Sequence, residues 1–328
     1  MGSIETICIS TWGAAPIAVR LPAPLRERRV PPKADGMNDP IPPKRVFPPA
    51  RDDAAVAEQT TPAPQTRSPA YRLAFQDLDF LLREDLRPVR FQLELLKPEL
   101  FLEEAGIAST FVFYGSARIP EPDKADSLIA AAANDKQRHI AERLKANSRF
   151  YEEARRLARI ASQTHRDAEG KRQFVVCSGG GPSIMEAANR GAADVGAESI
   201  GLNIVLPHEQ MPNPYVTPEL SFQFHYFALR KMHFLLRARA VAIFPGGFGT
   251  FDESFELLTL IQTGKIKPIP IFFFGREFWE KVIDFEALAI EGVINEDDLQ
   301  LFSFVETAEE AWEQVCRHYR VDENGIEC

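Results

Sequence analysis

The spacing of apolar positions changes along the chain. From residue 71 to 105, leucine and phenylalanine recur every three or four positions, which predicts two or three short amphipathic helices broken near Pro88 and Pro98. From about Ser109, short and almost wholly apolar runs alternate with helical stretches. Such runs are typical of strands covered on both faces, so the sequence predicts an α/β fold, a Rossmann-like open parallel sheet with helices on both faces. The predicted strands are residues 110–114, 174–177, 199–205, 240–244 and 269–274.

The first 70 residues have a different composition. Thirteen of the 25 prolines lie in residues 1–69, where aromatic residues that could anchor a core are scarce. The sequence therefore predicts a disordered, proline-rich tail over residues 1–70, a helical extension over 71–108, and a Rossmann-like domain over 109–328.

Charge and cysteine content exclude several classes of protein. The net charge is -9, and residues 1–69 carry nine basic against seven acidic residues, or +2, so the remainder carries -9 minus +2, or -11. That acidity argues against nucleic acid as a partner. No apolar run reaches the ~20 residues of a membrane helix, and no His/Cys cluster has a metal-binding spacing. Four scattered cysteines favour a reduced, cytoplasmic setting.

Three glycine-containing loops follow predicted strands. Ligands of open parallel sheets bind outside the carboxyl ends of the strands, where consecutive glycines allow close approach and helix N-termini attract anions. Because neither the dinucleotide nor the triphosphatase glycine pattern is present, a monophosphate is the favoured ligand. The three loops begin at Gly115 and Ser116, at Ser178 with Gly179, Gly180 and Gly181, and at Pro245 with Gly246, Gly247, Gly249 and Thr250.

The two longer loops end in the same pattern, [ST]-x-x-E. It occurs as Ser183 to Glu186 and as Thr250 to Glu253. One interpretation is a pair of capping boxes that satisfy the first N–H groups of a helix. The other is that a carboxylate in a glycine-walled cleft meets positive charge developing on a substrate, or orients water. Both interpretations are open for Glu186.

A basic helix precedes the third loop. Residues 227–239 are predicted to be helical, with Arg230, His233 and Arg237 on one face. That face is either solvated or, because it lies close to the glycine loop, an anion clamp.

Together these motifs resemble the LONELY GUY (LOG) family. Residues 245–253, PGGFGTFDE, match the family pattern PGGxGTxxE, with Arg230 and Lys231 upstream; residues 179–189 resemble the GGGPxxMEAAN block of the larger bacterial members. The likeness covers about residues 110–305. One departure is Asp252, which stands where many members have glutamate.

The resemblance implies a phosphoribohydrolase. Such an enzyme cleaves the N-glycosidic bond of a nucleoside 5'-monophosphate, here AMP or a cytokinin riboside monophosphate, to free base and ribose 5-phosphate. Arg230 and Glu253 would be the catalytic pair, and Gly246, Gly247, Gly249 and Thr250 would hold the phosphate. The remaining expected substrate-binding residues are Gly115, Ser116, Gly180, Gly181, Met185, Glu186 and Lys231.

The family resemblance carries further expectations. No metal or redox cofactor is expected, because water is the second substrate. The old family label of lysine decarboxylase would require pyridoxal phosphate and a Schiff-base lysine, and no loop places a lysine convincingly. A homo-oligomer is expected, with the apolar helix after Glu253 as core or interface. Residues 208–224 are the predicted wall for the base. The alternative function is a non-catalytic carrier of a phosphorylated pterin or nucleotide, similar to molybdenum-cofactor carriers.

Overall fold

The chain separates into two units, Met1–Leu73 and Ala74–Cys328. The computed structural model describes residues 49–164, 166–207 and 211–321. In the first unit, helix α1 spans Ala50–Glu58 and none of its residues is buried. This differs from the disorder predicted for those residues, because four alanines in nine positions favour a helix. The rest of the predicted tail, residues 1–48, lies outside the described residues.

The second unit contains a seven-stranded, all-parallel sheet with helices on both faces, as the sequence predicts. The strands are β1 Thr110–Tyr114, β2 Val175–Ser178, β3 Ser199–Ile204, β4 Ser221–Phe224, β5 Ala238–Ile243, β6 Ile271–Phe274 and β7 Ser303–Val305. The described α-helices of this unit are α2 Leu78–Leu81, α3 Arg87–Glu104, α4 Pro122–Ala130, α5 Asp135–Asn147, α6 Arg149–Ala161, α7 Ile184–Ala193, α8 Phe227–Leu236, α9 Phe248–Gln262, α10 Arg276–Val282, α11 Phe285–Ile290 and α12 Ala308–Tyr319.

The central strand shows why the apolar runs are continuous. In β1, Phe111 and Phe113 point into a core formed with α6, α7 and α12, whereas Val112 and Tyr114 point into a second core formed with α3, α8 and α9. Successive side chains of a strand point to opposite faces, so a strand with two covered faces needs apolar residues at every position.

The strand order fixes where a ligand can bind. The order across the sheet is β4-β3-β2-β1-β5-β6-β7. The chain therefore moves outward from β1 in one direction as far as β4, then returns to place β5 on the other side of β1. The gap between the carboxyl ends of β1 and β5 is the topological switch point at which open α/β sheets bind ligands.

Two short outer strands were not predicted. β4 and β7 form the two edges of the sheet and have four and three residues. β4 also alternates buried and exposed positions, unlike the central strands. Edge strands are partly solvated, so they lack the continuous apolar run on which the prediction depended.

Pro98 does not break the helix in which it lies. Helix α3 begins beside Pro88, as expected for a proline in a first turn, but continues through Pro98 to Glu104. The predicted break at Pro98 is wrong. A proline inside a helix removes one hydrogen bond, and here the burial of Pro98 and Leu102 offsets that loss.

Candidate active site

A cleft of about 890 Å³ opens at the switch point. That volume is typical of a small-molecule site. Nine of the thirteen predicted site residues line it. They are Gly115, Ser116, Gly181, Met185, Arg230, Gly247, Gly249, Thr250 and Glu253. The other four, Gly180, Glu186, Lys231 and Gly246, are not among its lining residues.

Backbone hydrogen bonds join the three glycine loops. The Ser116 N–H donates to the carbonyl oxygen of Pro245 at 3.1 Å, which links the loop after β1 to the loop after β5. The Ser116 carbonyl oxygen accepts the N–H of Ile184 at 3.4 Å, which links it to the start of α7. A side chain at Gly115 would lie 2.6 Å from Ile184, so glycine is required for this close approach.

Arg230 and Glu253 form a buried ion pair in the cleft. Arg230 Nη1 lies 2.9 Å from Glu253 Oε1, and the two side chains are only 11% and 13% exposed. Arg230 Nε also donates to the carbonyl oxygen of Leu202 at 2.7 Å, and the guanidinium lies over the ring of Phe234. These contacts hold the guanidinium in one orientation, with the carboxylate beside it.

Burial shifts the pKa of Glu253. Loss of hydration raises the pKa of Glu253 to about 7, although the charge and hydrogen bond of Arg230 lower it. The nearby phenol of Tyr114 and thiol of Cys177 are also buried, and burial raises the pKa of each. Both are therefore neutral at physiological pH, whereas Glu253 changes charge close to neutrality.

Helix α9 begins two residues before Thr250. Its N-cap is Gly247, so Thr250 and Glu253 both lie within the helix and the proposed capping box is wrong there. The first N–H groups of a helix have no partner inside it, and here they lie at the cleft. A Cβ at Gly246 would lie 2.1 Å from Thr250 Oγ1, which explains the first glycine of the loop. Added carbons at Gly247 and Gly249 would meet no described atom within 4 Å.

The other [ST]-x-x-E pattern is also not a capping box. Ser183 is the N-cap of α7, but its side chain makes no capping bond and donates instead to the Ile119 carbonyl oxygen. Glu186 accepts a hydrogen bond from the Tyr151 hydroxyl at 3.2 Å. Tyr151 belongs to α6, which packs on the sheet face opposite Arg230. Glu186 therefore interacts with the scaffold and does not line the cleft.

Gly180 and Lys231 have contacts next to the cleft. Gly180 has a positive φ of 69°, its carbonyl oxygen accepts the N–H of Asn213 at 2.8 Å, and a Cβ there would meet the amide of Asn203. Lys231 Nζ lies 3.0 Å from both Asp252 and Glu256. Lys231 therefore ties α8 to α9.

The three basic residues of the predicted helix face contact different parts of the molecule. Arg230 points into the cleft, whereas His233 and Arg237 contact α3: His233 Nε2 lies 3.2 Å from the Glu94 carbonyl oxygen, and Arg237 Nη2 lies 3.1 Å from Glu99. The prediction that these three residues clamp one anion is therefore wrong. The prediction of a solvated face is also wrong, since Arg230 and His233 are buried. Packing of α3 on this face is a tertiary contact that helical spacing cannot reveal.

The apolar wall of the cleft is not the predicted one. Residues 208–210 lie outside the described residues, and residues 211–224 are not among the lining residues. The apolar side chains come instead from the end of β3, the loop after it and three helices. They are Ile204, Leu206, Phe227, Phe248, Phe251 and Val282. These residues are scattered through the sequence, and no local motif marks them.

Asn203 is a polar lining residue that sequence analysis missed. It lies in β3, and its Nδ2 is buried without a hydrogen-bond partner among the described residues. A buried amide without a partner is costly unless something else satisfies it, so Asn203 is a candidate ligand contact. β3 also contains the buried Ser199, so a polar residue in this strand does not by itself mark a ligand contact.

The described residues contain neither a metal-binding cluster nor a membrane-spanning helix. No group of three or more His, Cys, Asp or Glu side chains there is arranged to hold a metal ion. No described helix is both long enough and apolar enough to cross a bilayer.

Comparison with known proteins supports the family resemblance for part of the chain. Residues 185–315 match the family model described as "Possible lysine decarboxylase", a LOG-like family. That range contains Arg230 and the whole PGGxGTxxE motif. No curated protein matches the chain.

Solved structures give weaker likenesses. The structure of the protein TM1055 is 18% identical, with a TM-score of 0.39, covering 64% of this chain and 99% of that one. A molybdenum-cofactor carrier protein from Chlamydomonas reinhardtii is 16% identical, with a TM-score of 0.36 and the same coverage. Neither comparison bears on activity.

The family description implies pyridoxal phosphate, and the cleft does not fit it. That cofactor requires a lysine beside its phosphate cradle. None of the described residues that line the cleft is a lysine, and Lys231 is paired with Asp252 and Glu256.

Proposed function

We propose that this chain hydrolyses the N-glycosidic bond of a nucleoside 5'-monophosphate, either AMP or a cytokinin riboside monophosphate. The products are the free base and ribose 5-phosphate. The observation that carries the proposal is the buried Arg230–Glu253 pair inside a cleft walled by three glycine loops. A carrier has no need of such a pair, because binding alone requires no group that responds to charge developing on a sugar.

The start of α9 is the proposed phosphate site. Gly247, Gly249 and Thr250 line the cleft there, and the positive end of the helix dipole favours an anion. Because a side chain at Gly247 or Gly249 would meet open space, the glycines leave room for phosphate oxygens beside the backbone. Gly115, Ser116 and Gly181 also line the cleft.

Glu253 is the proposed catalytic carboxylate. As the base leaves, positive charge develops on the ribose, and an ionised carboxylate held in a poorly hydrated site stabilises that charge. The same carboxylate can position the water whose oxygen bonds to the anomeric carbon. With a pKa of about 7, Glu253 is ionised in a growing fraction of molecules as the pH rises through neutrality. Arg230 holds it in place and engages either the phosphate or the leaving base.

The remaining wall suits a base. Ile204, Leu206 and Phe227 provide apolar surface, and the free amide of Asn203 provides a polar contact in the same cleft. A planar heterocycle needs both kinds of contact.

We infer that the chain forms a homo-oligomer. The partly exposed Phe255 of α9 is a candidate contact between subunits, whereas Leu257 and Ile261 of the same helix are buried within one subunit. We also infer a cytoplasmic setting without nucleic-acid partners, from the cysteine usage and the charge of -11 beyond residue 69.

The test is a panel of nucleoside 5'-monophosphates, each paired with its unphosphorylated nucleoside. Purified protein is incubated with each compound, and free base is separated by chromatography. Base released from monophosphates but not from nucleosides would support the proposal, because the proposed phosphate site lies in the same cleft as Glu253. Tight binding of monophosphates with no release from any would instead favour the carrier function.

A further inference from the structure

Helix α8 lacks a cap of its own. It begins at Phe227, and its N-cap Tyr226 makes no side-chain capping bond. The first N–H groups of a helix need partners from elsewhere, and an N-terminus that is loose lets the first turn fray. Arg230 lies in that first turn, so its position depends on how this end is held.

Glu94 of helix α3 binds the two backbone N–H groups at the entrance of α8, those of the N-cap Tyr226 and of His225 before it. Its Oε1 accepts the N–H of His225 at 2.8 Å, and its Oε2 accepts the N–H of Tyr226 at 3.2 Å. A carboxylate at the positive end of a helix dipole is also electrostatically favourable. The contact joins residues more than 130 positions apart, because α3 packs alongside α8.

Backbone hydrogen bonds connect Glu94 to Arg230. The Tyr226 carbonyl oxygen accepts the backbone N–H of Arg230 at 3.1 Å, so two successive hydrogen bonds join Glu94 to the Arg230 backbone. The rings of Phe91 and Tyr226 lie 4.0 Å apart and hold the same contact. At the other end of α8, Glu99 binds Arg237 at 3.1 Å, so α3 holds α8 at both ends.

We propose that Glu94 is a positioning residue for Arg230. Helix α3 precedes the region that resembles the LOG family, and it positions a residue of the proposed active site. Glu94 holds the first turn of α8, the turn holds the guanidinium against Glu253, and the pair faces the substrate. The inference rests on the proposed function in so far as it assigns Arg230 to catalysis.

The first test is kinetic. Glu94→Ala should lower kcat/KM about tenfold, since small displacements of a catalytic group are costly. Glu94→Gln, whose amide oxygen still accepts one N–H, should recover part of that loss. Glu104→Ala is the matched control: Glu104 is an exposed glutamate in α3 whose side chain makes no hydrogen bond or ion pair within the described residues. It should behave as wild type.

A double variant separates positioning from general damage. If Glu94 acts through Arg230, Glu94→Ala should cost nothing further once Arg230 is replaced by alanine. An equal loss in the presence and absence of Arg230 would overturn the proposal.

Hydrogen exchange tests the cap without reference to catalysis. In Glu94→Ala, the amides of His225, Tyr226 and the first turn of α8 should exchange faster, whereas Glu104→Ala should leave them unchanged. Unchanged exchange in Glu94→Ala would overturn the proposal whatever the activity. If the wild type releases no base, the proposed function fails but the positioning proposal can still be tested. The measured quantity is then the affinity for AMP. Glu94→Ala should weaken AMP binding about tenfold when Arg230 is present, and should have no effect in Arg230→Ala.

Discussion

Two loops with the same sequence pattern place their glutamates in different surroundings. Glu253 is buried against Arg230 in the cleft, and its pKa is raised to about 7. Glu186 accepts a hydrogen bond from Tyr151 on the other face of the sheet and does not line the cleft. Each is the last residue of an [ST]-x-x-E pattern that follows a glycine-rich loop. The pattern alone therefore does not identify a catalytic carboxylate.

The two acids occupy different positions in their helices and have different neighbours. Helix α7 begins at Ile184, directly after the serine of its pattern, so Glu186 is its third residue. Helix α9 begins at Phe248, before the threonine of its pattern, so Glu253 is its sixth residue. Residues three apart lie on nearly the same face of a helix, so helical phase alone does not separate the two acids. The neighbouring helices separate them: α8 places Arg230 against Glu253 on one face of the sheet, whereas α6 places Tyr151 against Glu186 on the other.

The largest expected effect comes from replacing Arg230, the ion-pair partner of Glu253. Arg230→Ala should lower the rate of base release by on the order of 10² to 10⁴, because it removes an oriented charge from the site. Lys231→Ala should cost less than about tenfold, since Lys231 is paired with Asp252 and Glu256 and is not among the lining residues. Thermal unfolding of both variants checks that they fold. Equal losses would remove the distinction between these adjacent basic residues.

A second effect is on stability and its pH dependence. The folded protein raises the pKa of Glu253 from 4.5 to about 7, so it binds this proton more tightly than the unfolded chain. The corresponding stabilisation is present below pH 4.5 and is lost as the pH rises through about 7. Glu253→Gln has no such proton, so its unfolding free energy should rise relative to wild type by up to about 3 kcal/mol over that window. Denaturant titrations at pH 4.5 and 8 measure the difference; a constant difference would contradict a raised pKa.

The smallest effect tests the scaffold role of Glu186. Tyr151→Phe removes the hydroxyl that donates to Glu186 and that also accepts a long hydrogen bond of 3.5 Å from Arg190. The free energy of unfolding should fall by about 0.5 to 1.5 kcal/mol, as for one hydrogen bond, while base release stays unchanged. Denaturant unfolding and the chromatographic assay measure the two quantities. A clear loss of base release at unchanged stability would place Glu186 in the reaction after all.

Sequence reasoning succeeded where one local signal determined the structure. Continuous apolar runs identified the five inner strands, because a strand buried on both faces has apolar residues at nearly every position. The glycine loops marked most of the cleft, because close backbone approach excludes side chains at Gly115 and Gly246. Both signals are local in the chain.

It failed where a contact between distant elements determined the outcome. His233 and Arg237 look like partners of Arg230 on one helix face, yet helix α3 covers them. The apolar wall at Leu206 and Val282 comes from elements 76 residues apart by their numbers, and only the fold brings them together. Asn203 was overlooked inside a strand for the same reason.

The role of Glu253 is tested most directly by base release from a saturating monophosphate such as AMP, measured side by side for wild type, Glu253→Gln and Glu186→Gln. We expect a loss of roughly 10² to 10⁴ for Glu253→Gln, the size expected when a catalytic carboxylate is neutralised, and a change of less than about threefold for Glu186→Gln. Nearly full turnover by Glu253→Gln, or losses of equal size in the two variants, would contradict this expectation.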